Sequence, residues 1–361
     1  MRHTPKKAIG GNQKNEQLRE KPLMRIINNL NTGRHAYNVL PIRITTTGCL
    51  NRAEKRRLHS IIKKPVILQG NSGTCHTISL CNLINAVAAD DLASITDGHG
   101  LSTRQLILDF FNDPGRDYIL DTFVCLIIDS ISNPDFFTPG KIADILHGAF
   151  QAGRVDQTFE KMKSWGGLPT SDAESCIDET LSLLSSLKSE ILNLIETKQV
   201  EYQVIESQLL AGSLGEIFRL KDREHKSAEA AKARKKISDC LKKYYIKTTH
   251  LTQEFCQLKY TAKYPEPIKS RAAREIEKII IDKCIKALEK GPVILGGCGH
   301  AMTLAGYDKE ADIFYLQDSS RSAKTLEISP KELLERNFQT IYALSQLKSM
   351  PKNDKSHWLP I

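Results

Sequence analysis

From Thr74 to Ala89, TCHTISLCNLINAVAA repeats apolar residues at helical spacing and predicts a helix. Before it, PVILQG (Pro65–Gly70) reads as a buried strand ending in glycine, and after it Leu101 to about Ile131 and Gly140 to Gln151 read as further helices. Nearer the start, YNVLPIRITTT (Tyr37–Thr47) has the pattern of an edge strand, with Pro41 arguing against a central position, and Asn51 to Ile62 that of a short basic helix. The pattern changes from Ser171 to about Ala211, where Ile177, Leu181, Leu184, Leu187, Ile191, Leu194, Ile195 and Ile205 fall mostly three or four apart. Beyond Gly212 and Gly215 a charged helical pattern runs to about Tyr264 and stops at Pro265 and Pro267. Two long helices around a glycine break predict an antiparallel hairpin, with an arm of about 50–60 Å at 1.5 Å rise per residue. Ile268 to Lys290 gives a third amphipathic helix.

After Lys290 the period becomes that of strands. GPVILGG, HAMTLAGYD and DIFYLQD follow one another with short breaks, as in an antiparallel sheet. Ser329 with Glu332 three residues on forms a capping box for a last helix, Pro330 to about Leu344. The fold class is therefore α+β.

Composition narrows the classes. The chain has 361 residues, 40% of them hydrophobic, which is too apolar for a disordered chain and enough for a real core. A net charge of +9 falls short of a dedicated nucleic-acid binder, and no RNP- or KH-like motif accompanies it, so nucleic acid is disfavoured. Nine cysteines, an odd count without C-x-x-C pairs, point to reduced thiols rather than a disulfide set or zinc ribbon. No metal-ligand spacing and no phosphate-binding glycine loop stands out, so no metal or other cofactor is expected. The basic N-terminal residues lack an apolar core, and the longest apolar run, Tyr118 to Ile131, is too short and too interrupted by Asp121 and Asp129 to span a bilayer. The expectation is a cytoplasmic protein without a transmembrane segment, with export by a signal-independent route left open. Arg219 to Lys247 holds eleven Lys/Arg against four Asp/Glu. It reads as a solvated helix face or as a platform for an acidic protein partner, an anionic membrane or RNA.

The candidate chemistry sits in two motifs. In LQGNSGTCHTISLC, Cys75 falls at the first turn of a helix, where free backbone N–H groups and the helix dipole stabilise a thiolate. Gln69, six residues earlier, could turn its amide toward the Cys75 N–H to make an oxyanion hole, with Gly73 in the approach. His76 reads as a non-catalytic neighbour shaping the cleft, and Cys81 as core. In GGCGHAMTLAGYDKEADIFYLQDSS, a hairpin centred near Lys309 sets His300 opposite Asp318, Met302 opposite Leu316 and Leu304 opposite Phe314. A carboxylate there would orient an imidazole, behind a glycine-rich approach through Gly297 and Gly299, whereas Asp308 lies too far along the strand. Cys298, two residues from His300, could line the same cleft. Cys, His and Asp form the minimal apparatus of thiol nucleophilic catalysis: His300 takes the thiol proton and protonates the leaving amine, while Asp318 fixes its tautomer.

These motifs resemble the papain-like cysteine peptidases, in the bacterial branch that uses Asp as orienting residue, similar to the bacteriocin-processing peptidases. The Gln-x5-Cys spacing matches Gln69 to Cys75, the KGPV strand matches Lys290–Val293, the HA…GYD strand matches His300–Asp308, and LQDSS puts Asp318 at the orienting position. His76 departs from the family, which carries tryptophan there, and QDSS replaces the family's longer segment. The resemblance implies a two-lobed fold with Cys75 in a helical lobe and His300 and Asp318 in a sheet lobe, around a large helical-hairpin insertion. The corresponding division is a flexible tail 1–36, a nucleophile lobe 37–130, a helical insertion 131–267 and a sheet lobe 268–361. It also implies hydrolysis of peptide or isopeptide bonds in a protein or peptide substrate, inside its producer or as an injected bacterial effector. The same triad serves deubiquitinase-like isopeptidases and transglutaminase-like acyltransferases. From another class, an inactive peptidase fold could serve as a helical binding scaffold.

Overall fold

The computed structural model describes residues 66–347, apart from 71, 97, 99, 112, 114, 139, 143–144, 147–154, 170–176, 226–227, 262–267, 298 and 337. The tail, the strand over Tyr37–Thr47, the helix over Asn51–Ile62 and Cys298 lie outside these residues. The helices are α1 (Cys75–Val87), α2 (Ala89–Ala93), α3 (Thr103–Phe111), α4 (Arg116–Ser132), α5 (Val155–Trp165), α6 (Ile177–Glu196), α7 (Tyr202–Ala211), α8 (Ser213–His225), α9 (Ala228–Leu241), α10 (Thr252–Thr261), α11 (Ile268–Leu288) and α12 (Pro330–Leu334). The strands are β1 (Tyr244–His250), β2 (Val293–Gly297), β3 (His300–Asp308), β4 (Ile313–Gln317), β5 (Leu326–Ile328) and β6 (Thr340–Gln346). The fold is α+β. Its strands make one antiparallel sheet in the order β1-β6-β2-β3-β4-β5.

Both faces of the sheet are buried, and the alternation of its residues shows how. Ile294, Ala301, Tyr342 and Leu344 turn to the face that holds Cys75, Leu80, Leu83 and Ile84 of α1. Val293, Leu295, Met302, Leu304 and Ile341 turn to the other, where Ile276, Ile280 and Cys284 of α11 pack. A separate cluster joins α4, α6, α7 and α8 through Phe123, Ile127, Leu184, Leu187, Ile191, Ile205, Leu209 and Ile217. Helix α3 bridges the two helical regions. All nine of its residues are buried, with Leu106 and Phe110 on the α1 side and Ile107, Leu108 and Phe111 on the other. Its buried Asp109 takes a bidentate pair of bonds from Arg234 of α9, at 2.7 and 3.1 Å.

Four sequence expectations are corrected. The segment Val66–Gln69 is extended but joins no sheet; Val66 N–H and Gln69 N–H donate instead to the Ala323 and Ser319 carbonyls, at 2.8 and 2.9 Å. The two long helices of a projecting hairpin are five shorter ones, α6 to α10, with strand β1 among them. The first breaks at Lys198, which takes a left-handed φ of 56° without being glycine, and the second yields to strand β1. The capping box on Ser329 and Glu332 is present, but its helix ends at Leu334, and Thr340–Gln346 is an interior strand. A strand buried on both faces is apolar at successive positions, so its period does not separate it from a helix.

The fourth correction concerns the β3–β4 register. The pairs are Leu304↔Leu316 and Thr303↔Gln317, not Leu304 with Phe314, and near the turn they are Tyr307↔Phe314 and Asp308↔Ile313. Asp308 shapes this turn: its Oδ1 accepts from the N–H groups of Glu310 and Ala311, at 2.9 and 3.1 Å. Between Leu304 and Gly306 a bulge takes up one residue. Carried on without it, the turn register would set Asp318 across from Thr303. With it, Asp318 follows across from Met302, in the same parity as His300.

Candidate active site

Cys75 opens α1 after a turn made by Gly73, whose positive φ of 72° favours glycine. The Ser72 and Thr74 hydroxyls bond each other at 2.8 Å within that turn. A hydrogen bond from Ser79 Oγ to the Ala301 carbonyl, 3.2 Å, ties α1 to the start of β3. The thiol thus lies beside the strand end that carries His300, and Sγ is 4.0 Å from the Gly299 carbonyl oxygen. Cys75 has no exposed surface, while His76 is partly exposed and the His300 side chain is 25% exposed. The two rings, with the exposed Gly299, are described groups beside the sulfur that reach solvent.

His300 Nε2 donates to Asp318 Oδ1 at 2.8 Å, which leaves Nδ1 as the ring nitrogen for the thiol. Asp318 is fully buried and well supplied with donors. Ser320 donates to its Oδ1 from both N–H and Oγ, at 3.1 and 2.7 Å, and Arg336 Nη1 and Arg321 Nε lie 3.4 and 3.5 Å from Oδ2. Ser320 Oγ also sits 3.3 Å from His300 Nε2. A carboxylate so saturated orients and stabilises; it has no lone pair to spare as a base.

The three ionisations are displaced together. Burial pushes the Cys75 thiol up, but hydrogen bonds from His300 and His76 and the charge of both rings outweigh it and bring the thiol down to about 6. Burial works to lower His300, and its bonds to Asp318 and Cys75 overcome this and raise it to about 9. Asp318 is raised by burial and lowered more strongly by His300 and Ser320, to about 2. Near neutral pH the arrangement is a thiolate–imidazolium pair backed by a carboxylate. That charge state can attack a carbonyl carbon and give a proton to a leaving group.

Gln69 is buried, and Ser319 Oγ donates to its Oε1 at 3.1 Å. With the carbonyl end of the amide held there, the Nε2 end is the donor left for an oxyanion. The expected cleft glycines differ in setting: Gly73 is buried, Gly297 pairs with His300 across β2–β3, and Gly299 is exposed with a positive φ of 75°. Cys81 is core, with Sγ 3.4 Å from the Leu101 carbonyl. Sequence reasoning missed Ser319, Ser320, Arg321, Arg336 and the closeness of His76. The run DSSR carried a signal for the first three, since short polar residues after an aspartate turn back on its carboxylate. Arg336 carried none. Comparison with protein-family models, with curated proteins and with solved structures finds no match for this chain.

Proposed function

We propose that the chain is a cysteine peptidase of papain-like type that hydrolyses peptide or isopeptide bonds of a protein substrate. The observation that carries this reading is the meeting of Cys75, His300 and Asp318, with Nε2 of His300 held by the carboxylate and the thiol lowered to about 6. In the first step Cys75 Sγ forms a bond to the scissile carbonyl carbon, and the oxyanion is received by the Cys75 N–H and Gln69 Nε2. His300 then passes its Nδ1 proton to the leaving amine as the C–N bond breaks, leaving an acyl-thioester. Neutral His300 next removes a proton from water, whose oxygen attacks the thioester and releases the acid and the thiolate. Transfer to an amine instead of water gives the acyltransferase variant with the same residues.

The covered thiol favours one second reading, a peptidase fold that no longer turns over and serves as a binding scaffold. Iodoacetamide at pH about 6 separates the two. The peptidase reading expects Cys75 to be alkylated well before the exposed Cys125 and Cys256, with the advantage lost in His300→Ala. Peptide and ubiquitin-like electrophilic probes should then form an adduct on wild type and none on Cys75→Ala. Labelling of Cys75 no faster than Cys125 or Cys256 and indifferent to His300→Ala would sink the peptidase reading.

A further inference from the structure

Among the described residues, His76 is the one ionisable group at the thiol that the proposed mechanism does not use. Its Nδ1 lies 3.5 Å from Cys75 Sγ, within hydrogen-bond reach of sulfur. The ring follows Cys75 in the first turn of α1 and is partly exposed. The described ionisable groups around the sulfur are His76 from its own helix and His300 from β3. Behind His300 stand Asp318, Arg321 and Arg336. His300 is bound on its far side to Asp318 and commits its proton to the leaving amine. His76 Nδ1 has no such commitment in the mechanism.

We propose that His76 is a second hydrogen-bonding ring on the nucleophile, holding the sulfur anion through Nδ1 alongside the His300 imidazolium. This rests on the triad reading and adds a step-specific role to it. In acylation the His300 proton goes to the amine, and sulfur shares its charge with the acyl group. In deacylation the C–S bond breaks with its electron pair returning to sulfur, and the His76 donor receives that charge. No additional proton is consumed; the water proton resides on His300, which is again the imidazolium. Loss of His76 therefore raises the thiol and slows release of the acyl group more than its formation.

The geometry makes the test selective. Asparagine at 76 can place its amide nitrogen near the Nδ1 position, whereas glutamine reaches the Nε2 position and alanine neither. The measurement is the rate of Cys75 alkylation by iodoacetamide against pH in the full chain, read by mass spectrometry. His76→Ala and His76→Gln should move the acid limb up by about one pH unit, a roughly tenfold slower labelling at pH 5, and His76→Asn should restore most of it. Protection of the buried Cys284 in each variant reports that the fold is intact. An acid limb unmoved in all three variants, or moved equally in all three, overturns the assignment. The failure of the triad reading looks different: there Cys75 shows no enhanced reactivity even in wild type, and His300→Ala changes nothing.

Discussion

His300 keeps its proton at pH values where a free imidazole has lost most of its own, because Asp318 on one nitrogen and the thiolate on the other both favour the cation. The sign of the linkage follows. A raised His300 contributes stability that is complete below its ordinary 6.5 and lost as pH rises through about 9. A lowered Cys75 contributes stability that is complete above its ordinary 9.0 and lost as pH falls through about 6. The ion pair is thus whole only between the two, and turnover of any substrate that traps on Cys75 should be bell-shaped with limbs near 6 and 9. Asp318→Asn keeps an oxygen for His300 Nε2 but removes the charge. Its alkaline limb should move down toward the ordinary histidine value, and a limb still near 9 would show that the carboxylate charge does not hold the imidazolium. The two residues themselves were legible from spacing and the HA…GYD and LQDSS runs. Of the donors that saturate Asp318, Ser320 and Arg321 were signalled by DSSR and Arg336 was not, because it reaches the carboxylate from a turn that no local pattern connects to the site.

The helix corner between α7 and α8 shows how an element boundary can be read correctly and its consequence misjudged. Gly212 and Gly215 mark a break in the sequence, and a break is there. It packs rather than projects: the Glu190 carboxylate of α6 accepts from Ser213 N–H and, at 2.6 Å, from Ser213 Oγ, capping α8. A Cβ on Gly215 would come within 1.9 Å of the Leu210 carbonyl oxygen, a backbone atom that no rotamer can move aside. Gly215→Ala should therefore destabilise the protein by about 1–3 kcal/mol, seen as a lower Tm. A Tm equal to wild type would mean that the corner opens without penalty. Strands β2, β3 and β4 were legible as short apolar runs between glycines and polar turns, and helix α1 by its helical spacing. Strand β1 was hidden by lysines on either side, although YYIKTT carries the aromatic and β-branched residues that favour strands. The β3 bulge was marked only by Gly306 in HAMTLAGYD, and it decides which way Asp318 faces.

At the scale of the whole molecule, α3, α5 and α9, which lie between Cys75 and His300 in sequence, share a core with α1. Helix α3 is the seam, and the Asp109–Arg234 pair within it is nearly excluded from water, with side chains 4% and 13% exposed. Arg234→Leu leaves the Asp109 carboxylate buried without its cation, and a loss of about 3–5 kcal/mol is expected. The double variant Asp109→Leu/Arg234→Leu should recover a large part of this in a thermal melt. Single and double variants that melt together would show that the pair is not coupled. The basic run that includes Arg234 is accordingly not all platform, since part of its charge is used inside the fold.

The strand order also has a temporal consequence. Helix α1 is made well before β6, which lies inside the sheet between β1 and β2. The edge against which β2 pairs, and part of the surface against which α1 rests, do not exist until Thr340–Gln346 has emerged. Until then Cys75 lacks part of the surface against which its helix rests, and any reactivity that the fold confers on it should appear only once β6 has paired.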